Sequence, residues 1–357
     1  MGIDKLASYV RKHCKNAVHL RDFGGKCFAV DFMGLLNMFL YRKKGCWYLL
    51  EFINLIHKLK RYYIDILFVF DGKPGIEKQH TIKLRKAYRD NLSIKRDALL
   101  ANKEHIDKVE YDNALEYFNK KIFKVNMYHI QNCKKLFDIL CVNYIHIDNI
   151  EADIIFKYLL DIKIVDAVFS EDTDMIARGC HTVLKDLNHT TDILLCIEYS
   201  VLLENIQITP EQFTSACILA GNDYNDGVKY TKEDKMLLQL ANKCKFEDNI
   251  DMIKKYKNID CVIANLNNRI PTRFDWQNTI AIFSEDISFD AKEYINCKMD
   301  KFKNYKKELK QSKDMQIIQI TDIIDFLLYE MFTLEQYYKD KYIFKAKEFI
   351  KWNTEII

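Results

Sequence analysis

No glycine lies beyond Gly227 in this chain of 357 residues, and only three prolines punctuate it. Residues 228–357 are rich in Lys, Asn and Ile, with Pro271 as the one strong breaker, so this region reads as a helical appendage. Long apolar runs are also missing. None approaches the roughly 20 residues that a membrane-spanning helix needs, which excludes that class and any membrane partner of that kind. The opening "MGIDKLASYVRKHCKN" is too charged for a signal peptide, and Leu6 stands where a myristoylation motif carries Ser or Thr. An intracellular location is expected. The eleven cysteines include no C-x-x-C pair, so zinc spacing and a disulfide framework are both absent and the thiols read as reduced. An excess of one charge is lacking as well: the net value is +3, and the distribution of charge has to decide about nucleic acid. Neither a 20-to-50-residue repeat nor a low-complexity linker interrupts the chain.

The first two thirds of the chain contain apolar, β-branched and aromatic runs at "KCFAVDF", "YIDILFVFD", "CVNYIHID", "KIVDAVFS", "HTVLKD" and "DILLCIE". Segments with helical spacing, such as "YLLEFINLIHKLKRYY" and "EADIIFKYLLDI", separate several of them. Continuous apolar strands joined by helices predict an α/β fold: a mostly parallel, doubly wound sheet with helices on both faces.

Ligands of such sheets bind at the carboxyl ends of the strands, so acids placed there are candidate site residues. "FAVD" ends at Asp31 and "LFVFD" at Asp71, "VFSEDTD" delivers Asp172 and Asp174, and "CILAGNDY" delivers Asp223. In "DNIEAD", Asp148 or Asn149 is suited to cap a helix whose first turn carries Glu151 and Asp153, where the macrodipole favours the ionised carboxylates. Gathered on one sheet edge, seven carboxylates cannot all ionise without cations among them. Oxygen ligands without His or Cys select Mg²⁺ or Mn²⁺, and two such ions roughly 4 Å apart suit phosphodiester hydrolysis. "EDTD" also contains the D-x-D of Mn²⁺-dependent nucleotide-sugar transferases, but that reading leaves five of the acids unused.

Directly after Asp71 comes "GKPGIEKQHTIKLRKAYRDNLSIKRD". On a helix, Lys78, Arg85, Arg89 and Arg96 share one face. Cations beside an acidic site would draw a polyanionic substrate and neutralise the scissile phosphate. Residues 87–128 read as a charged, aromatic-flecked insertion able to cover a strand of nucleic acid.

In order and spacing, "MGIDKL", "AVDFMG", "FVFDGKPGIEK", "IEAD", "SEDTDMIARG" and "CILAGNDY" resemble the flap endonuclease and xeroderma-pigmentosum-G type structure-specific 5′ nucleases over about residues 1–226. The resemblance implies a PIN-like nuclease core at residues 1–227, with a gateway helix and helical arch at 73–130. Residues 228–357 would form a helical DNA-binding region. It implies that Asp31, Asp71, Glu151, Asp153, Asp172, Asp174 and Asp223 hold two Mg²⁺ or Mn²⁺ ions. Lys78 and Arg85 would reach the scissile phosphate, while Gly2, Lys73, Lys83, Arg89 and Arg96 are candidate DNA contacts. The expected partner is DNA with 5′ flaps, nicks or branched junctions, cut in replication, repair or recombination by endonuclease or 5′ exonuclease action. The same chemistry on RNA is the alternative. The expected place of work is a nucleus or a cytoplasmic viral replication site.

The sequence also departs from the family. The glycine-rich hairpin of its helix-two-turn-helix motif is reduced to Gly227 within "NDYNDGVKYTKEDK". Asn37 replaces a stacking tyrosine, with Phe39 and Tyr41 as candidate substitutes. No sliding-clamp motif follows Gln319 or Gln336. The Lys-rich residues 301–313 read as a solvated helix face or a DNA contact.

Overall fold

The computed structural model describes residues 2–14, 16–42, 47–228, 245–266 and 270–309, with side chains given only up to residue 301 in the last segment. Residues 229–244, where the family's hairpin would continue, the last four residues of the Lys-rich stretch, and Gln319 and Gln336 lie outside the described residues.

Seven strands form one sheet: β1 (Ala17–His19), β2 (Cys27–Asp31), β3 (Asp65–Phe70), β4 (Asn143–His146), β5 (Ala167–Phe169), β6 (Thr182–Lys185) and β7 (Ile193–Glu198). Their order is β1-β7-β6-β5-β2-β3-β4. The pairings from β6 through β5, β2 and β3 to β4 are parallel, and β7 is antiparallel to both β6 and β1. The α/β expectation therefore holds in a mixed form. The loop after Lys185 explains the exception: Asn188 Oδ1 accepts from Thr190 N and Thr191 N, and a connection that short permits only an antiparallel return. Strand β1 was not expected, since three residues carry no periodicity.

The chain leaves β2 toward β3 and β4, then crosses back to place β5 on the other flank of β2. The topological switch point thus lies between β2 and β5, where open α/β sheets bind ligands. Both pleat faces are buried. Ala29, Leu67, Val69, Val168, Val183 and Ile197 join a core with α1 (Leu6–His13), α7 (Ala152–Asp161), α9 (Tyr199–Ile206) and α10 (Pro210–Ala220). On the other face Phe28, Val30, Phe68 and Phe70 are buried, and the Phe32 ring stacks on Phe70 at 3.8 Å. Buried side chains of α11 (Lys245–Tyr256), α12 (Ile259–Leu266), α13 (Trp276–Phe283) and α14 (Phe289–Leu309), such as Phe246, Val262, Phe283 and Ile295, continue the first core. This unit comprises residues 1–35, 55–73 and 142–313.

A second unit includes residues 36–54 and 74–141. Its core is aromatic: Phe52 meets Phe39 edge-on at 5.0 Å and Phe137 at 5.5 Å. Helix α4 (Gln79–Ala101) packs along α5 (Lys108–Ile122), followed by α6 (Met127–Ile139). Asp107 caps α5 by accepting from Val109 N and Glu110 N. Among the described residues, no helix is long and apolar enough to cross a membrane.

Candidate metal centre

Asp31 ends β2 at the switch point and is 8% exposed. Its Oδ1 accepts from Gly34 N at 2.8 Å in the first turn of the following helix, and its Oδ2 accepts from Ser170 Oγ at 2.7 Å. The register accounts for the second bond: Val30 pairs with Phe169, so the residue after each strand meets the other. Burial pushes the Asp31 carboxyl up from its ordinary value, Gly34 N and Ser170 pull it back, and the charge of Asp172 raises it further. A Cβ on Gly34 would stand 2.5 Å from Asp31 Oδ2, so this close approach requires glycine.

Asp172 and Asp174 continue the chain of contacts. Ser170 Oγ accepts from Asp172 N at 3.0 Å, and Asp172 Oδ1 accepts from Asp174 N at 3.2 Å. Gly2 adopts φ +95°, and a Cβ there would collide with Asp172 Oδ1 and Thr173 Oγ1. Ile3 N donates to Thr173 Oγ1 at 2.9 Å, which fixes the start of the chain beside these acids. Lys185 reaches the same loop from β6. Its buried ammonium donates to the carbonyl of Glu171, and burial lowers its pKa while Glu171, Asp186 and Asp172 oppose that.

Asp71 follows β3, and its Oδ1 accepts from Ala152 N at 3.0 Å. The helix α7 is therefore capped from another element. Glu151 is its N-cap residue with no side-chain cap bond of its own, which corrects the expectation that Asp148 or Asn149 caps it. Gly72 N donates to Ile150 O at 3.0 Å and Lys73 N to Asp148 O, pinning the Asp71 segment beside Glu151. Tyr224 OH donates to Glu151 Oε2 at 3.0 Å, and Arg178 Nε stands 3.8 Å from Asp153 Oδ2. Asp223 belongs to a tight turn in which Asn222 Oδ1 accepts from Tyr224 N and Asn225 N, and its carbonyl accepts from Arg273 Nη2 at 2.9 Å.

Asp31, Asp172 and Asp174 are thus linked through Ser170 at the carboxyl ends of β2 and β5, and Asp71 accepts from the start of α7, the helix that carries Glu151 and Asp153. Among the described residues, however, no group of three or more His, Cys, Asp or Glu side chains is arranged to hold a metal ion. Like charges repel, and Gly34 N, Ser170, Ala152 N and Tyr224 each hold a carboxylate oxygen in place. The donor set itself, oxygen only and with two members at helix N-termini, fits a hard divalent cation. Tyr224, Arg178, Lys185 and Ser170 were missed by sequence reasoning. Arg178 is the C-cap residue of α8 (Asp174–Ala177).

The basic residues stand mainly on the second unit. Lys78 closes a 3₁₀ turn (Ile76–Lys78) ahead of α4, Lys83 and Arg85 are exposed on the helix, and Arg89 is half-buried. Arg96 donates to Asp97 Oδ1 at 2.8 Å and to Ser93 Oγ at 3.2 Å. Lys73, in the sheet unit, is exposed. Of the two substitutes for the stacking tyrosine, Phe39 is 1% exposed and belongs to the core, which removes it. Tyr41 is 45% exposed, with Lys121 Nζ 5.5 Å from its ring centre.

Two family models match the chain: the XPG N-terminal domain over residues 1–92 and the XPG I-region over residues 143–223. Between them they hold all seven acids. The chain belongs to the flap endonuclease and XPG-type 5′ nuclease family. It is 28% identical to Flap endonuclease 1 of Enterocytozoon bieneusi over 301 residues, 79% of this chain and 77% of that protein. Among solved structures, flap endonuclease-1 from Methanococcus jannaschii shares the fold with a TM-score of 0.57 at 19% identity, covering 95% of this chain and 96% of that one. The Holliday junction-resolving enzyme GEN1, in complex with product DNA and Mg²⁺, gives a TM-score of 0.55 at 15% identity, covering 97% and 78%. Family membership displaces the transferase reading of "EDTD".

Proposed function

We propose that this nuclease hydrolyses DNA phosphodiesters near free 5′ ends, at flaps, nicks or branched junctions, using two Mg²⁺ or Mn²⁺ ions at the carboxyl end of the sheet. The observation that carries the reading is the linked set Asp31, Ser170, Asp172 and Asp174 at the switch point, with Asp71, at the end of the neighbouring strand, accepting from the start of α7. Asp31, Asp71, Glu151, Asp153, Asp172, Asp174 and Asp223 would hold the ions. When bound, such ions polarise the phosphoryl oxygens and acidify a water molecule.

The chain's own residues supply the rest. Asp31 and Asp71 each accept from the backbone at a helix N-terminus, and for the buried Asp31 this bond opposes the effect of burial. Lys78 and Arg85 neutralise charge on the scissile phosphate as it gains a fifth oxygen. Hydrolysis then breaks the bond from phosphorus to the 3′ oxygen, leaving a 5′ phosphate and a 3′ hydroxyl. Lys73, Lys83, Arg89 and Arg96, with Gly2 beside the acids, are assigned to the DNA backbone, and Tyr41 to base stacking.

A cleavage panel tests this: flap, nicked, gapped, four-way-junction and RNA substrates, each with Mg²⁺, Mn²⁺ or chelator. Metal-dependent cutting of the 5′-flap or branched DNA is expected. Hydrolysis confined to RNA, or no hydrolysis of any substrate, contradicts the proposal.

A further inference from the structure

Two buried cations, Lys185 and Arg178, stand beside the acids, and the proposed reaction uses neither; Arg178 is the one held by residues beyond the acidic segments. The Arg178 side chain is 2% exposed, and its guanidinium has four neighbours from three segments of the chain. Nε faces Asp153 Oδ2 at 3.8 Å, Nη2 donates to Tyr224 OH at 3.3 Å, and Nη1 donates to Ile282 O at 2.7 Å in the last turn of α13. The guanidinium carbon lies 5.6 Å from the centre of the Phe283 ring. Tyr224 passes the contact on, donating to Glu151 Oε2 at 3.0 Å. Burial disfavours the charge on Arg178, but the fields of Asp153, Tyr224 and Asp174 overcome this and raise its pKa.

A buried guanidinium is costly unless nearby anions compensate its lost hydration. Here the compensation comes from acids assigned to the metal and from a helix C-terminus, whose last carbonyls, Ile282 O among them, carry partial negative charge. Buried Nε finds no hydrogen-bond partner, so Asp153 acts on it through its field rather than through a direct bond. The arrangement therefore places positive charge against the acids without saturating Asp153.

We infer that Arg178 is a resident cation of the metal centre: it offsets repulsion among Glu151, Asp153 and Asp174 before metal arrives, moderates the affinity for divalent ions, and ties the centre to α13. It is a positioning residue. The inference rests on the metal-site reading above and goes beyond it. C-terminal residues outside the seven acids become part of the centre, because Ile282 and Phe283 hold the guanidinium.

The test compares the unmodified protein with Arg178→Met, which keeps length and loses charge, and Arg178→Lys, which keeps charge. Mg²⁺ is titrated by calorimetry without DNA, and thermal unfolding is recorded with Mg²⁺ and with chelator. In Arg178→Met, Mg²⁺ should bind on the order of tenfold tighter, and the rise in Tm caused by Mg²⁺ should be larger than in the unmodified protein. Arg178→Lys should restore both towards the original values. Equal affinity and an equal Mg²⁺-induced shift in Arg178→Met would make the arginine a packing residue only and overturn the inference. If Arg178→Met folds only with Mg²⁺, the inference is supported; if it fails to fold with and without Mg²⁺, the inference is overturned. An unmodified protein that shows neither heat nor a shift with Mg²⁺ removes the metal-site reading itself, and the inference with it.

Discussion

At the carboxyl end of the sheet, Asp31 keeps 8% of its surface and accepts hydrogen bonds from two other segments, while on α4 only Leu92 is buried in a helix of 23 residues. The acids are fixed by the fold. Burial of Asp31 and Asp174 and repulsion among the acids cost stability, which the caps, Ser170 and Arg178 offset. The basic helix has the opposite character: Lys83 and Arg85 are exposed and Lys78 and Arg89 half-buried, the desolvation cost is small, and substitution there should leave folding almost untouched. The comparison separates two kinds of functional residue, those whose loss disturbs the structure and those whose loss disturbs only the substrate.

The sharpest way to break that contrast is on the basic side. Lys78→Ala should slow the chemical step by about 10²-fold while leaving Tm unchanged, as read by single-turnover cleavage of a saturating flap substrate. Rates equal to those of the unmodified enzyme would remove Lys78 from the reaction, and a large loss of Tm would show that the helix is not the lightly packed element described. On the acidic side, Gly34→Ala places a methyl group 2.5 Å from Asp31 Oδ2. It should destabilise by about 1–3 kcal/mol and weaken Mg²⁺ binding; a variant with unchanged stability and unchanged metal affinity would mean that Asp31 is not held tightly.

The smallest effect lies at the exposed margin of the acidic region. Arg11 donates to both oxygens of Asp186 at 2.7 Å on a partly exposed surface, and this bond holds the Asp186 carboxyl below the usual range. A depressed folded-state pKa contributes stability above the unfolded value and loses it as pH falls through the folded value. Arg11→Met should therefore cost less than about 1 kcal/mol at neutral pH, with the difference fading in acid. Urea unfolding at both pH values measures it, and a cost independent of pH would contradict the assignment.

The strand-end acids were legible because each follows an apolar run, and such a run in a parallel sheet fixes both depth and edge. Arg85 was legible as a position on a helix but not as a neighbour of anything, and Lys78, expected on the same helix, closes the 3₁₀ turn before it. Arg178 was not legible, since its partners Tyr224 and Ile282 lie 46 and 104 residues away and no local pattern marks them. Lys185 looked like an ordinary strand end. Glu171, with no assignment from its motif, accepts from Asp186 N at 2.9 Å and so shapes the loop that carries Asp172. Phe39 was misread because its spacing suits stacking as well as it suits a core. Only tertiary packing separates the two.

The central claim is that the acids at the sheet's carboxyl end perform the cleavage. Asp172→Ala tests it most directly, with cleavage and binding of one 5′-flap DNA measured on the same preparation in Mg²⁺. The account predicts loss of cleavage with flap affinity largely retained. Turnover equal to that of the unmodified protein would contradict it.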